Sequence, residues 1–97
     1  MCEINNIIKM QPFDTLQIKE LAKNEAFQIL SISLEKGAIF PEHTSPSDAY
    51  LILLEGEINF TMKDSSFHLT AQQSLHFSKK TEHSVKALQN SKFLIVR

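Results

Sequence analysis

Apolar and polar residues alternate in short runs from about residue 26 to the end of the chain, and a turn-forming cluster ends each run. Phe27, Ile29, Leu30, Ile32 and Leu34 keep a period of two with one slip, the pattern of a strand carrying a bulge. Glu35-Lys36-Gly37 closes that strand as a turn. Pro41 and Pro46 then bracket a loop running from His43 to Asp48. The run Ala49-Tyr50-Leu51-Ile52-Leu53-Leu54 is apolar on both faces, as a central strand is. Glu55-Gly56 predicts a hairpin turn, after which Ile58, Phe60 and Met62 alternate with Asn59 and Thr61. Lys63-Asp64-Ser65 is the next turn, and Phe67-His68-Leu69 and Leu75-His76-Phe77 are the next strands. A polar turn, Ser78 to Glu82, precedes two final strands, His83 to Leu88 and Lys92 to Val96. Short strands with turn signals every 8–12 residues or so predict an all-β, antiparallel sandwich or barrel.

The N-terminal quarter reads differently. Ile7–Met10 and Leu16–Ile18 are too short for periodicity to decide. Asp14 in an N-cap position predicts a short helix over Thr15 to Ala22. No internal repeat or low-complexity tract interrupts the chain, so one domain is expected over residues 1–97.

A chain of 97 residues forms one modest core, and a homodimer is expected as a way to bury more apolar surface. Hydrophobic residues at 42% and charged residues at 22% fit an ordinary globular protein. The net charge of −1 supplies no basic field, and nine of the ten basic residues are scattered lysines. Nucleic-acid binding through phosphate neutralisation is therefore not expected. No apolar run approaches the roughly 20 residues of a membrane helix, so no membrane partner is expected either. The segment MCEINNIIKM has neither a basic leader nor a long apolar stretch, so a cytoplasmic location is expected. Cys2, the single cysteine, offers no disulfide and no thiolate metal site.

Chemistry concentrates on four histidines. His68 and His76 are each flanked by apolar residues that claim the core face, which turns both imidazoles outward. His43 lies in the proline-bracketed loop with Ser45, and His83 opens the penultimate strand. Gly37 and Gly56 are the only glycines, which excludes a glycine-rich phosphate loop. Ser45, His83 and Asp48 make a triad on paper, but no nucleophile elbow or oxyanion motif accompanies them. Lys79, Lys80 and Lys86 form a mild basic patch of the kind a solvated face carries.

This order of elements resembles the cupin superfamily, in its small single-domain form with a conserved barrel. The first cupin motif runs Gly, five residues, His, one residue, His, three or four residues, Glu, six residues, Gly. In this chain those places fall on Gly37, His43, Ser45, Ala49 and Gly56. The second motif runs Gly, five residues, Pro, one residue, Gly, two residues, His, three residues, Asn. Its places fall on Gln72, Ser78, Lys80, His83 and Ala87. The spacing is kept while only Gly37, His43, Gly56 and His83 keep their identity. The strand and turn YLILLEGEINF and the ending EHSVKA add to the likeness, which covers residues 25 to 97 or so. The resemblance implies an antiparallel jelly-roll β-barrel, RmlC-like, with a degenerate metal-binding motif.

In metal-binding cupins three His and one Glu converge on a divalent transition metal inside the barrel. Here Ala49 has no donor atom and Ser45 offers only a hydroxyl, so the resemblance leaves two imidazoles, His43 and His83. No cofactor and no catalytic residue is expected on that basis. A barrel without its metal still encloses a mostly apolar cavity, which is the usual form of a small-molecule site. The strand register lines it with Leu51, Leu53, Ile58, Phe60 and Met62, and places His43, Ser45 and His83 at the polar end. The expected function is non-catalytic binding of a small molecule or partner in that pocket. The alternative is a metal-dependent dioxygenase or isomerase using His43, His83 and a further ligand. A scaffold whose barrel side chains fill its own interior is the third reading.

Overall fold

Only two pairs of consecutive strands fold back on each other; the other connections carry the chain from one sheet to the other. The computed structural model describes residues 1–97 and contains a four-residue helical turn, α1 (Ile7–Met10), and nine strands. The strands are β1 (Leu16–Lys23), β2 (Gln28–Leu34), β3 (Ile39–His43), β4 (Ala49–Glu55), β5 (Glu57–Met62), β6 (Ser65–Thr70), β7 (Ser74–Phe77), β8 (His83–Ala87) and β9 (Ser91–Val96). One sheet has the order β1-β2-β9-β4-β7 and the other β3-β8-β5-β6. Every neighbouring pair is antiparallel.

Alternation decides which residues meet between the sheets. Ile32, Leu34, Leu51, Leu53, Phe93 and Ile95 come from the five-stranded sheet. They pack against Ile58, Phe60, Leu69, Val85 and Ala87 from the other. Burying each large side chain contributes about 1.5–3 kcal/mol, which is what holds two small sheets face to face.

Glu55-Gly56 is not the hairpin turn its sequence predicts. β4 pairs with β7 and β9, and β5 pairs with β6 and β8, so Gly56 is the corner at which the chain changes sheets. The 15–22 helix is also overturned. Residues 16–23 form β1, paired along its length with β2 from Leu16↔Leu34 to Lys23↔Gln28. Neighbouring strand edge outweighs the weak local preference of LQIKELA for helix. The bulge read into residues 26–34 lies on the other member of this pair, between Glu20 and Ala22, while β2 runs against β9 without a break. Phe27 belongs to the β1–β2 turn, where the Asn24 side chain accepts hydrogen bonds from the amides of Ala26 and Phe27.

The segment before β1 closes the outer face of the five-stranded sheet. Gln11 is 3% exposed; its Nε2 donates to the carbonyls of Gln17 and Ser31, each at 3.0 Å. The Ser31 hydroxyl donates back to Gln11 Oε1 at 2.6 Å, and the Ser33 hydroxyl donates to the Pro12 carbonyl at 2.6 Å. Lys92 Nζ donates to the Ile8 carbonyl within α1, 2.8 Å away, and lies over the Phe13 ring. These bonds explain why two serines on an outward face are buried. Gln11→Ala strands the Ser31 hydroxyl, and a loss of about 1–3 kcal/mol in urea denaturation is expected.

Candidate functional site

The pairing of β3 with β8 places His43 directly opposite His83. Pro41 has no N–H to give a ladder, and the pairing shifts register between Phe40 and His43 to pass it. The two imidazole centroids lie 4.1 Å apart with the rings at 64°. Phe40 stacks on the other side of His43 at 4.2 Å, and Phe60 and Phe77 pack on His83 at 5.2 and 4.5 Å.

Each ring is fixed by a short local bond. His43 Nδ1 lies 2.7 Å from the Pro41 carbonyl, and His83 Nδ1 lies 3.0 Å from the Thr81 carbonyl. A carbonyl only accepts, so Nδ1 carries the proton in both bonds. In the neutral form of either ring, Nε2 is then a lone-pair acceptor, and neither Nε2 has a protein partner. Burial lowers the His83 pKa below its ordinary 6.5; the bond to Thr81 opposes this, and the neighbouring His43 adds to the lowering.

That shift has a stability consequence. The unfolded chain takes up a proton near pH 6.5 while folded His83 resists it, so stability from this group is present above pH 6.5 and is lost as pH falls through the lower folded value. Urea midpoints measured downward from pH 7 should fall less steeply for His83→Phe than for the unmodified chain. Equal slopes would refute the assignment.

Ser45 completes the polar end. It is 3% exposed, and its hydroxyl has no hydrogen-bond partner. The three residues line one end of a cavity of about 430 Å³ that opens between the sheets. Ile18, Leu30, Ile32 and Ile95 form its wall from the five-stranded sheet, Phe40 and Phe77 flank it, and Arg97 also lines it. The cavity wall differs from the expected lining. Leu51, Leu53, Ile58 and Phe60 are fully buried in the core, and Met62 packs against that core; none of the five lines the cavity. They sit deeper between the sheets, where the small barrel fills itself. The cavity lies instead against β1, β2 and β9. Ile18 was hidden by the reading of residues 15–22 as helix, whereas Arg97, the single arginine, stood out in composition alone.

The donor set does not fit a transition-metal centre. Ala49 is fully buried at the place where a metal-binding relative has Glu, and it has no donor. The neighbouring candidates are engaged elsewhere. Asp48 accepts a hydrogen bond from the Lys79 amide, and His68 is paired with Glu57. His76 is in ring contact with Tyr50, which is itself 55% exposed. Glu42 lies on the surface against Glu82, and the hydrogen bond and like charge between them raise the Glu42 pKa. No group of three His, Cys, Asp or Glu side chains converges anywhere on the molecule. Two imidazoles and a hydroxyl fall short of the three firm ligands such an ion needs.

Two antiparallel sheets, wound so that most connections change layers and open at one end onto a histidine pair, define a jelly-roll barrel of the RmlC-like type. The chain belongs to the cupin family: the family model described as "Cupin domain" matches residues 30–96. No curated protein gives a match. Among solved structures, an RmlC-like cupin protein from Desulfovibrio desulfuricans is 23% identical with a TM-score of 0.87, over 99% of this chain and 95% of that one. An RmlC-like cupin with a double-stranded β-helix fold from Methanocaldococcus jannaschii is 23% identical with a TM-score of 0.84, over 100% and 91%. A cupin superfamily protein from Desulfitobacterium hafniense is 21% identical with a TM-score of 0.80, over 88% and 78%. At these identities the likeness is one of fold. No helix is long and apolar enough to cross a membrane.

Proposed function

We propose that this cupin binds a small organic molecule non-covalently in the cavity at its open end, with His43, Ser45 and His83 as the polar anchor. The observation that carries this reading is the Ser45 hydroxyl, buried and unpartnered in the wall of a cavity of about 430 Å³. A buried polar atom without a partner costs about 1–3 kcal/mol, and a bound ligand supplies the missing partner. Size and character agree, since small-molecule sites are mostly apolar cavities of roughly 300–1,000 Å³ with few polar groups.

A thermal-shift screen of small metabolites against the full chain tests it. A true ligand at 100 times its dissociation constant stabilises by about 2.7 kcal/mol, and His43→Ala with His83→Ala should abolish the gain. Absence of any stabilising compound, or shifts indifferent to both substitutions, would remove the cavity from the function. Stoichiometric Fe, Mn, Ni or Zn in protein purified without an affinity tag, lost on His43→Ala, would favour a metal-dependent enzyme instead.

A further inference from the structure

We propose that the ligand is a small, largely apolar organic acid that also carries a hydroxyl group. The hydroxyl meets the His43–His83–Ser45 end and the carboxylate meets Arg97. This rests on the cavity being a ligand site, and it names the chemical class that the site selects.

The polar end selects against anions. Both imidazoles use Nδ1 as donor to a backbone carbonyl, so what each has left is the Nε2 lone pair. A carboxylate has only lone pairs of its own; it can accept from the Ser45 hydroxyl but gains nothing from the two imidazoles. A hydroxyl donates to one Nε2 and accepts from the Ser45 hydroxyl, whose oxygen is buried without a partner. That single group satisfies both kinds of atom.

Charge elsewhere in the cavity is of one sign. No Asp or Glu lines it, and Arg97 is the one Lys or Arg among its lining residues. Arg97 Nε donates to Gln28 Oε1 at 2.9 Å, which holds the guanidinium in place. Its two terminal nitrogens have no side-chain partner. A planar fork with free terminal donors matches a carboxylate in bidentate fashion. Ile32, Ile95 and Phe77 present hydrocarbon to the same cavity. An apolar body with a hydroxyl and a carboxylate at separate positions follows from that arrangement.

Four matched probes separate the parts: 4-hydroxyphenylacetate, phenylacetate, 2-(4-hydroxyphenyl)ethanol and 2-phenylethanol, titrated calorimetrically into the full chain. The hydroxy acid should bind tightest, and losing either polar group should weaken binding about tenfold, or 1.4 kcal/mol. Arg97→Gln should erase the preference for carboxylate and leave the preference for hydroxyl. His83→Phe should do the reverse. Equal binding of phenylacetate and 4-hydroxyphenylacetate would overturn the proposal, as would a carboxylate preference surviving Arg97→Gln, or no binding of any probe at millimolar concentration. In each of those cases the metabolite screen still decides the cavity reading separately: hits that depend on His43 and His83 keep it, and an empty screen removes it too.

Discussion

Phe60→Ala is expected to lower the stability of the fold by about 3–5 kcal/mol, the range for deleting a buried aromatic ring from a packed core. Phe60 is fully buried on β5 and touches Phe77 from the opposite sheet, with ring centroids 5.2 Å apart. It also stacks on His83 at 5.2 Å and 17°. The core cannot collapse into the gap without moving strands that are fixed by pairing on both sides, since β5 lies between β6 and β8. Domains of this size are stable by only about 5–15 kcal/mol, so the variant should sit near its unfolding threshold. Urea denaturation should show the midpoint falling with the slope unchanged. Phe67→Ala is the control: Phe67 is 47% exposed, and a change within about 0.5 kcal/mol is expected. A Phe60→Ala loss no larger than the Phe67→Ala loss would show that the ring does not bridge the sheets. The same substitution removes one of the faces that hold His83, which links core packing to the geometry of the site.

Most strands of the fold could be read from alternation because one face of each is buried. Phe60 and Ile58 alternate with Asn59 and Thr61, and β5 carries that pattern directly into the core. The turns at Lys63-Asp64 and at 78–82 were legible for the same local reason. What alternation does not encode is which strands pair. Glu55-Gly56 has the composition of a hairpin turn, yet long-range pairing sends β4 and β5 into different sheets. β1 was misread because its partner, β2, decides its conformation, and the bulge in β1 breaks the period that would have marked it as a strand.

The site was legible in its polar half only. Motif spacing put His43, Ser45 and His83 in one place, and the strand pairing brings the two imidazoles face to face. Its apolar half was misplaced toward Leu51, Leu53 and Phe60, because periodicity tells inward from outward but not depth along the barrel axis. Depth depends on where the sheets part, and that is set by β1, whose Ile18 forms part of the cavity wall. The tautomers were equally out of reach, since they follow from the carbonyls of Pro41 and Thr81 turning toward the rings. It is the tautomer that makes the site an acceptor of hydrogen bonds.

Gly56→Ala should destabilise the fold by about 3 kcal/mol or more, and Gly37→Ala by about 1–2 kcal/mol. Both glycines have positive φ, +85° at Gly37 and +95° at Gly56, so strain on the backbone is common to the pair. Surroundings separate them. A Cβ on Gly37 meets nothing within 4 Å, whereas one on Gly56 falls 2.5 Å from the Asn90 carbonyl oxygen and 2.6 Å from Ser91 Cα. Both of those atoms are backbone and cannot rotate away. Ser91 is itself fully buried, and its hydroxyl accepts from the Glu57 amide at 3.0 Å and contacts the Gln89 carbonyl at 2.7 Å. Moving it loosens the start of β9 and the start of β5 together, which are two of the points at which the chain changes sheets. The difference between the two variants, measured by urea denaturation side by side, isolates the close approach from the shared strain. Equal losses would mean that this corner tolerates a Cβ and that Gly56 serves the turn alone.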